Sequence, residues 1–502
     1  MKKIKLFLFY FFLINISIKV FGQVSPWYIT RGISGQVDEA WGVDVDSSGN
    51  IYWAVEEKDQ WPFWYFNIVL FKIDANAQPI WQSTSWGSGT GFNDKAFVTK
   101  VNGAVVYLGG RTDSTANNTS GDALVMSYNT INGNLNWAKN ISPNPDFGYQ
   151  EIDGLMIQPD GIYVSGWTQG QTTSMDFLVQ KIDLSGNPLW INSWDYNSFG
   201  KFDGGNGHMA MDNNFLYVAG HVNRANIASF DGQMDLACFN RSNGTYQWNV
   251  TWGGSSYDDG LGLTMSSDSM LYVVGYTGSF GNGSQTYFNK FSRTGQLKWS
   301  RLWGGSGTED CRALVSDGDS IIYVVGTTSS YGNGAKDIFV LKYDSAGTLK
   351  NSLYWGGAYN EVASDVAIHE GYLYITGTTE SFGNGSTDGH KTDALLLKIN
   401  GRTMQAPDSI TTFSNEIDEK NQEISVFPNP CNSLFVLQSK HRNELQIKKT
   451  EFKVYDIVGQ EIFKSEIQDE KAEIHFDLPD GIYFLKLETN KSVQTKKIVV
   501  QK

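Results

Sequence analysis

Residues 303–326 read WGGSGTEDCRALVSDGDSIIYVVG. Two short apolar runs flank the polar cluster Asp317-Gly318-Asp319-Ser320, the pattern of two strands joined by a tight turn. Working outward, the second run carries a marker that recurs along the chain: an apolar residue followed by tyrosine. It appears at Ile51-Tyr52, Val106-Tyr107, Ile162-Tyr163, Leu216-Tyr217, Leu271-Tyr272, Ile322-Tyr323 and Leu373-Tyr374, with steps of 55, 56, 54, 55, 51 and 51 residues. A second strand follows each marker, as in Asp176–Asp183 and Asp337–Asp344. A glycine turn comes next, and then a tryptophan at Trp81, Trp137, Trp190, Trp248 and Trp299, with Asn351 in the sixth place. A further Trp-Gly lies four residues on at Trp252, Trp303 and Trp355.

Each repeat thus reads as four short strands, in the fifth copy about 260–266, 270–276, 286–292 and 296–302. Four strands in 40–55 residues make one blade of a β-propeller. The seventh repeat ends near Asn400 without its tryptophan strand. Pro26-Trp27-Tyr28-Ile29-Thr30 matches the missing piece, so the N-terminal strand is expected to complete the last blade and close the ring. That pairing would remove the two exposed edges of an open ring. The expected fold is therefore all-β, a seven-bladed β-propeller over 23–403.

All 16 tryptophans precede Gly401. Residues 404–423 are polar and acidic and read as a linker. From 424 to 502 six short strands, near 433–438, 451–456, 461–466, 473–477, 481–488 and 493–500, predict a small C-terminal β-sandwich. Charge divides the same way. Residues 23–423 hold 23 basic and 42 acidic side chains, whereas 424–502 hold 12 and 11. Such acidity makes nucleic acid an unsuitable partner and favours cations.

At the N-terminus Lys2, Lys3 and Lys5 precede an apolar run to about Ile18, and Val20-Phe21-Gly22 offers small residues for cleavage. Residues 1–22 are thus expected to be a signal peptide, with no transmembrane span in the mature chain. Cys238, Cys311 and Cys431 are odd in number and far apart, and are expected to be buried apolar residues.

The repeats resemble the bacterial β-propeller repeat family with seven blades. Gly305 to Gly326 fit well, with Glu309 and Tyr323-Val324-Val325-Gly326, while Asp203 to Gly220 is a weaker match. The Gly-x-Leu-x-Trp turns also resemble quinoprotein propeller repeats, although no quinone site is found. Residues 424–502 resemble the type A C-terminal sorting domain of type IX (Por) secretion cargo. The residues that carry this are Pro428, Asn429, Pro430, Gly459, the Asp480-Gly481 turn before Tyr483, and the basic end at Lys496 and Lys497. The resemblance implies the type IX secretion machinery as a partner. It also implies passage across the outer membrane of a Bacteroidetes-type cell, followed by release or attachment at the surface.

Three features fall on one face of the predicted propeller. The first is a glycine turn at Phe280-Gly281-Asn282-Gly283, Tyr331-Gly332-Asn333-Gly334 and Phe382-Gly383-Asn384-Gly385, where glycine and asparagine suit positive φ. The second is a row of carboxylates thirteen residues before the marker: Glu39, Asp94, Asp259, Asp310 and Glu361. These could ring the channel mouth as oxygen ligands for Ca²⁺. The competing role is hydrogen bonding to loop backbone in every blade. The third, Trp61-Pro62-Phe63-Trp64-Tyr65-Phe66, occurs in the first blade alone. Trp61, Phe63, Trp64 and Tyr65 are candidate stacking residues for a sugar, against the alternative of packing under the loop.

No serine elbow, His-Glu-x-x-His or phosphate loop is present, and the six histidines are scattered. No catalytic residue is assigned and no cofactor is expected apart from calcium. The sequence points to an exported binding or adhesion module for an extracellular glycan or protein. An extracellular glycosidase or lyase on the same scaffold is the alternative, to be favoured by carboxylate pairs that break the repeat inside a deep pocket.

Overall fold

The computed structural model describes two compact units that divide between Ser414 and Asn415. Described in the first are residues 26–32, 37–58, 66–87, 93–113, 121–142, 149–169, 175–194, 208–223, 232–281, 283–318, 320–383 and 392–407. Described in the second are 424–427, 431, 434–439, 450–456, 460–467, 471–475, 478–479, 481–488 and 493–500. The expected signal peptide lies outside them.

The described part of the first unit contains seven four-stranded antiparallel sheets. Six are built from strands consecutive in the chain. The last combines Glu361–His369, Tyr372–Thr379 and Asp393–Asn400 with Trp27–Arg31, which pairs Trp27 with Lys398 and Arg31 with Ala394. The first strands of the sheets are Glu39–Val45, Asp94–Asn102, Gln150–Gln158, Met209–Met211, Asp258–Met265, Glu309–Ser316 and Glu361–His369. Each touches the first strand of the next sheet, and the seventh touches the first. The sheets are therefore the blades of a propeller, with these strands innermost around an axial channel.

The repeated Tyr, Lys, Trp and Gly form one packing unit. Each marker tyrosine lies at the start of a second strand and is buried. In five blades it meets the fourth-strand tryptophan with ring centroids 6.0–6.1 Å apart: Tyr52–Trp81, Tyr107–Trp137, Tyr163–Trp190, Tyr217–Trp248 and Tyr272–Trp299. The tryptophan also carries the glycine turn of the next blade. A Cβ at Gly133, Gly186, Gly244, Gly295 or Gly347 would lie 2.4–3.0 Å from that indole, and all five have φ between 72° and 80°. Only glycine meets both demands. Third-strand lysines cover the tyrosines and reach across the seam. Lys72, Lys290, Lys342 and Lys398 stand over Tyr52, Tyr272, Tyr323 and Tyr374. They donate to the carbonyls of Thr130, Ser345, Gly401 and Ala75.

The closing seam has the same chemistry. Trp27 meets Tyr374 at 6.3 Å and donates from Nε1 to the Ala75 carbonyl, as Trp81 does to that of Thr130. Ala77, at φ 65°, takes the glycine's place in that turn. Met404 is buried in the cluster of Tyr323, Leu373 and Ile399, and Gln405 exchanges backbone hydrogen bonds with Asn400. The propeller thus extends a few residues past the expected boundary at 403.

The described residues of the second unit form a three-stranded sheet (Ile424–Phe427, Leu434–Ser439, Lys471–His475) and a four-stranded sheet (Glu461–Ile467, Thr450–Tyr455, Gly481–Glu488, Val493–Val500). Both sheets feed one apolar cluster that includes Phe435, Ile474, Phe452, Leu485 and Ile498. The strand at 424–427 comes in addition to the six expected. Tyr483 is buried and donates to the Pro479 carbonyl. Lys496 and Lys497 fall within the last strand, while Pro428, Asn429, Pro430, Gly459 and Asp480 lie outside the described residues. All three cysteines are buried and none is in a disulfide.

Candidate functional site at the channel mouth

The five carboxylates expected to ring the channel do not share one position. Counting thirteen residues back from the tyrosine ignores a one-residue difference between blades. The strand pairing sets Asp94 against Thr112, Gln150 against Thr168, Asp258 against Thr277, Glu309 against Thr328 and Glu361 against Thr379. All five first-strand residues in this row are fully buried. Their work is to clamp the loop that enters the blade. Asp258, Glu309 and Glu361 accept from the backbone N–H of Gly254, Gly305 and Gly357, the second glycine of each Trp-Gly-Gly. They accept also from the hydroxyls of Thr277, Thr328 and Thr379. Asp94 and Glu361 therefore belong to a structural row, and the calcium ring of five is not formed. Among the described residues no group of three or more His, Cys, Asp or Glu could hold a metal ion. The glycine turns are structural too. Phe280, Tyr331 and Phe382 pack on Trp252, Trp303 and Trp355, and Gly281, Gly332 and Gly383 have φ of 90–107°.

Glu39, Asp259 and Asp310 stand one place further along and leave the clamp row. At the channel mouth, Glu151 and Asp259 line a cavity of about 320 Å³ together with Trp41, Phe97, Asp153, His208, Leu261, Tyr276, Arg312 and Ser364. Six of these have a common origin. The innermost strands carry a β-bulge, between Ala40 and Val43, Ala96 and Val98, Ile152 and Gly154, Gly260 and Gly262, Cys311 and Ala313, and Ala363 and Asp365. The extra residues include Trp41, Phe97, Asp153, Leu261, Arg312 and Ser364, and the bulge re-aims each into the channel. Sequence reasoning missed all six. The available signal was the extra residue in strands otherwise alternating buried and exposed.

This wall does not follow the repeat. Asp153 is the one acid among those six bulge residues, and its Oδ2 is buried without a hydrogen-bond partner. Burial, then the neighbouring Glu151, pushes its pKa well up. Burial also raises Glu151, although Arg111 pairs with it at 3.2 Å and Trp167 donates to it from Nε1. Across the cavity His221 Nδ1 lies 3.2 Å from Asp259, and Tyr257 is hydrogen bonded to the same carboxylate. Arg312 grips Asp310 through two nitrogens. Lys95 sits between Glu39 and Glu56, at 3.4 Å from each, and over the rings of Trp41 and Phe66. Burial pushes Glu56 up to about 8. Trp61, Phe63, Trp64 and Tyr65 lie outside the described residues. The strands that bracket them are Ile51–Lys58 and Phe66–Ile73, and Phe66 lies under Lys95.

Below this mouth lies a second cavity of about 460 Å³, lined by Asp44, Lys100, His208 and Asp365 among others. Asp44 and Asp365 accept from the N–H groups of Val101 and Val43. Burial opposes the charge of Lys100, but Asp44 and Asp365 outweigh it and raise its pKa.

Comparison with known proteins places both units. Residues 425–501 match the secretion system C-terminal sorting domain, and residues 175–419 match the outer membrane protein assembly factor BamB. A stretch of 153 residues is 24% identical to an endo-acting ulvan lyase of Formosa agariphila, covering 29% of this chain and 27% of that enzyme. Among solved structures, PorZ, a surface component of the type IX secretion system of Porphyromonas gingivalis, superposes with a TM-score of 0.41 at 12% identity. The superposition covers 91% of this chain and 59% of PorZ. The phage phi92 endosialidase gives a TM-score of 0.43 at 12% identity, over 94% and 87% of the two chains. The chain thus spans less than two thirds of PorZ and about a quarter of the lyase. It is an all-β propeller protein of the secreted class, carrying a type IX sorting domain that directs it to the cell surface or the medium. Among the described residues no helix is long and apolar enough to cross a membrane.

Proposed function

We propose that this exported propeller is a binding module for an extracellular glycan, which seats on the channel mouth with Trp61, Phe63, Trp64 and Tyr65 as an adjoining wall. The observation that carries this reading is the non-repeating set that the bulges turn into one open cavity: Trp41, Phe97, Asp153, Leu261 and Arg312. Flat aromatic faces suit sugar rings, and carboxylates and guanidinium groups suit hydroxyls. A scaffold repeat has no use for five different side chains at equivalent places. The test is a glycan-array screen of the full chain, followed by calorimetric titration of Trp61→Ala and Trp64→Ala with the best glycan. An exposed stacking contact of about 1 kcal/mol corresponds to roughly a fivefold loss of affinity. Unchanged affinity in both variants removes the aromatic wall, and an array without hits removes the glycan.

A carbohydrate-active enzyme, glycosidase or lyase, is the second reading. Two observations favour it: the Glu151–Asp153 pair breaks the repeat inside a pocket, and part of the chain is similar to an ulvan lyase. A carboxyl group whose pKa burial raises, as at Asp153, is better suited than an ordinary one to give a proton to a leaving oxygen. Incubation with ulvan and detection of new reducing ends distinguishes the readings, since a binding module releases none.

A further inference from the structure

The channel below the mouth breaks the repeat in a second way. In the first strand of each blade one residue pairs with the marker tyrosine. In blades one and two it is Asp44 and Lys100. In the other five it is Met156, Ala210, Thr264, Val315 and Ala367. A negative and a positive side chain thus stand on neighbouring blades in a ring that otherwise carries no charge. Asp365, two residues before Ala367, brings a second carboxylate from blade seven. All three line the cavity of about 460 Å³, whose wall also includes Val98, Leu155, Leu263 and Leu314.

The two carboxylates have structural work. Asp365 ties blade seven to the Val43 N–H of blade one, and Asp44 ties blade one to the Val101 N–H of blade two. Lys100 has no such task. Among the described residues its ammonium makes no hydrogen bond and no ion pair within 4 Å, and Asp44 and Asp365 act on it only at longer range. Lys95 shows how a lysine that merely offsets acids is placed, since it lies 3.4 Å from both Glu39 and Glu56. Lys100 instead brings three N–H donors to the cavity, with acceptors set back on two neighbouring blades.

A cation held out of bulk water is costly unless its donors are used. An anion would meet Asp44 and Asp365, and a cation would meet Lys100. A hydroxyl suits both, because one oxygen accepts from the ammonium and donates to a carboxylate. Several hydroxyls on one ring would bridge Lys100 to both acids, while the apolar wall takes the C–H faces. The volume lies within the roughly 300–1,000 Å³ of small-molecule sites.

We propose that this cavity is a binding site for one polyhydroxy ring, a single sugar unit, held by Lys100, Asp44 and Asp365. His208 lines both this cavity and the mouth, so the ring is reached either by a free sugar or by the terminal unit of a glycan. The site does not depend on what the mouth binds.

The test uses the full-length chain and two variants, each checked for a parent-like circular dichroism spectrum. Lys100→Met removes the donors. Thr264→Phe fills the cavity from the place in blade five that Lys100 holds in blade two, and it leaves every ionic group intact. It therefore serves even if Lys100→Met folds poorly. The probes are free glucose, galactose, mannose, xylose and rhamnose, followed by saturation-transfer NMR, and any oligosaccharide found on the glycan array, followed by calorimetry. A free sugar that binds the parent and loses about tenfold or more in both variants is the expected result for a free ligand. An array oligosaccharide that loses as much, when the free sugars do not bind, is the expected result for a chain end. A folded variant of either kind that binds every probe as the parent does overturns the proposal, and so does a parent that binds none. Array glycans that keep their affinity in both variants would leave the mouth reading standing and remove the channel site. Free-sugar binding lost in both variants, with an empty array, would do the reverse.

Discussion

Replacing Trp27 by alanine tests the closure of the ring directly. Trp27 is 7% exposed, meets Tyr374 edge to face and donates to the Ala75 carbonyl. A buried indole of roughly 200 Å² at about 25 cal/mol per Å² contributes about 5 kcal/mol, and the hydrogen bond about 1 more. Partial relaxation of the site brings the expected loss to about 3–5 kcal/mol. Trp299→Ala is the control, since Trp299 makes the same contact with Tyr272 inside one blade. There a short turn tethers the fourth strand to the third, whereas Trp27–Arg31 is held to Asp393–Asn400 by pairing alone. Trp27→Ala should therefore cost more than Trp299→Ala. Urea titrations followed by tryptophan fluorescence and by circular dichroism, with the two probes required to coincide, measure both. A loss below about 1 kcal/mol for Trp27→Ala, or one no larger than the control's, would refute the closure argument.

Deleting residues 23–32 should bare the edge of the last sheet and cause concentration-dependent light scattering, and a monomeric, equally stable product would contradict this. Gly244→Ala should cost about 1–3 kcal/mol, because the new methyl meets Trp190 at 2.4 Å and φ is 73°, whereas Gly103→Ala, with φ 58° and open space, should cost only about 1 kcal/mol. Glu309→Ala should cost about 2–4 kcal/mol by leaving the Gly305 N–H and the Thr328 hydroxyl without their acceptor, and equal melting of variant and parent would dismiss the clamp. Glu56 has a folded pKa of about 8 against an unfolded 4.5. The folded form thus holds the extra proton between these values, and its stabilising effect is full below pH 4.5 and lost as pH rises through 8. Glu56→Gln should gain on the parent by a few kcal/mol between pH 5 and 9, and parallel pH profiles would rule this out.

The propeller was legible because its architecture repeats in residues that cannot easily be exchanged. Tyrosine, tryptophan, lysine and glycine form a single contact across each seam, so each blade must restate them. The missing tryptophan strand of the last repeat and its copy at Trp27 followed from the same logic. The candidate site was less legible for two physical reasons. A fixed count from the tyrosine keeps its place only where hairpins have equal length, and Asp258 and Glu309 lie one residue further back than Asp94 and Glu361. A bulge moreover leaves no mark in composition, yet it decides that Asp153 and Arg312 face the channel while their neighbours face the sheet. The weak match from Asp203 to Gly220 has its counterpart in the innermost strand that is shortest among the described residues, Met209–Met211.

Joining the two ends of the propeller in one sheet also sets an order of events. Trp27 leaves the ribosome before the first complete blade, while its partner Lys398 follows only when all the other blades have been made. The entropy of closing so long a loop grows only with the logarithm of its length, so the delay costs time more than stability. During that interval the last sheet does not exist and the strand at Trp27–Arg31 has no template. Closure of the propeller is in this sense its last folding step, because the joint cannot form before both of its strands are present.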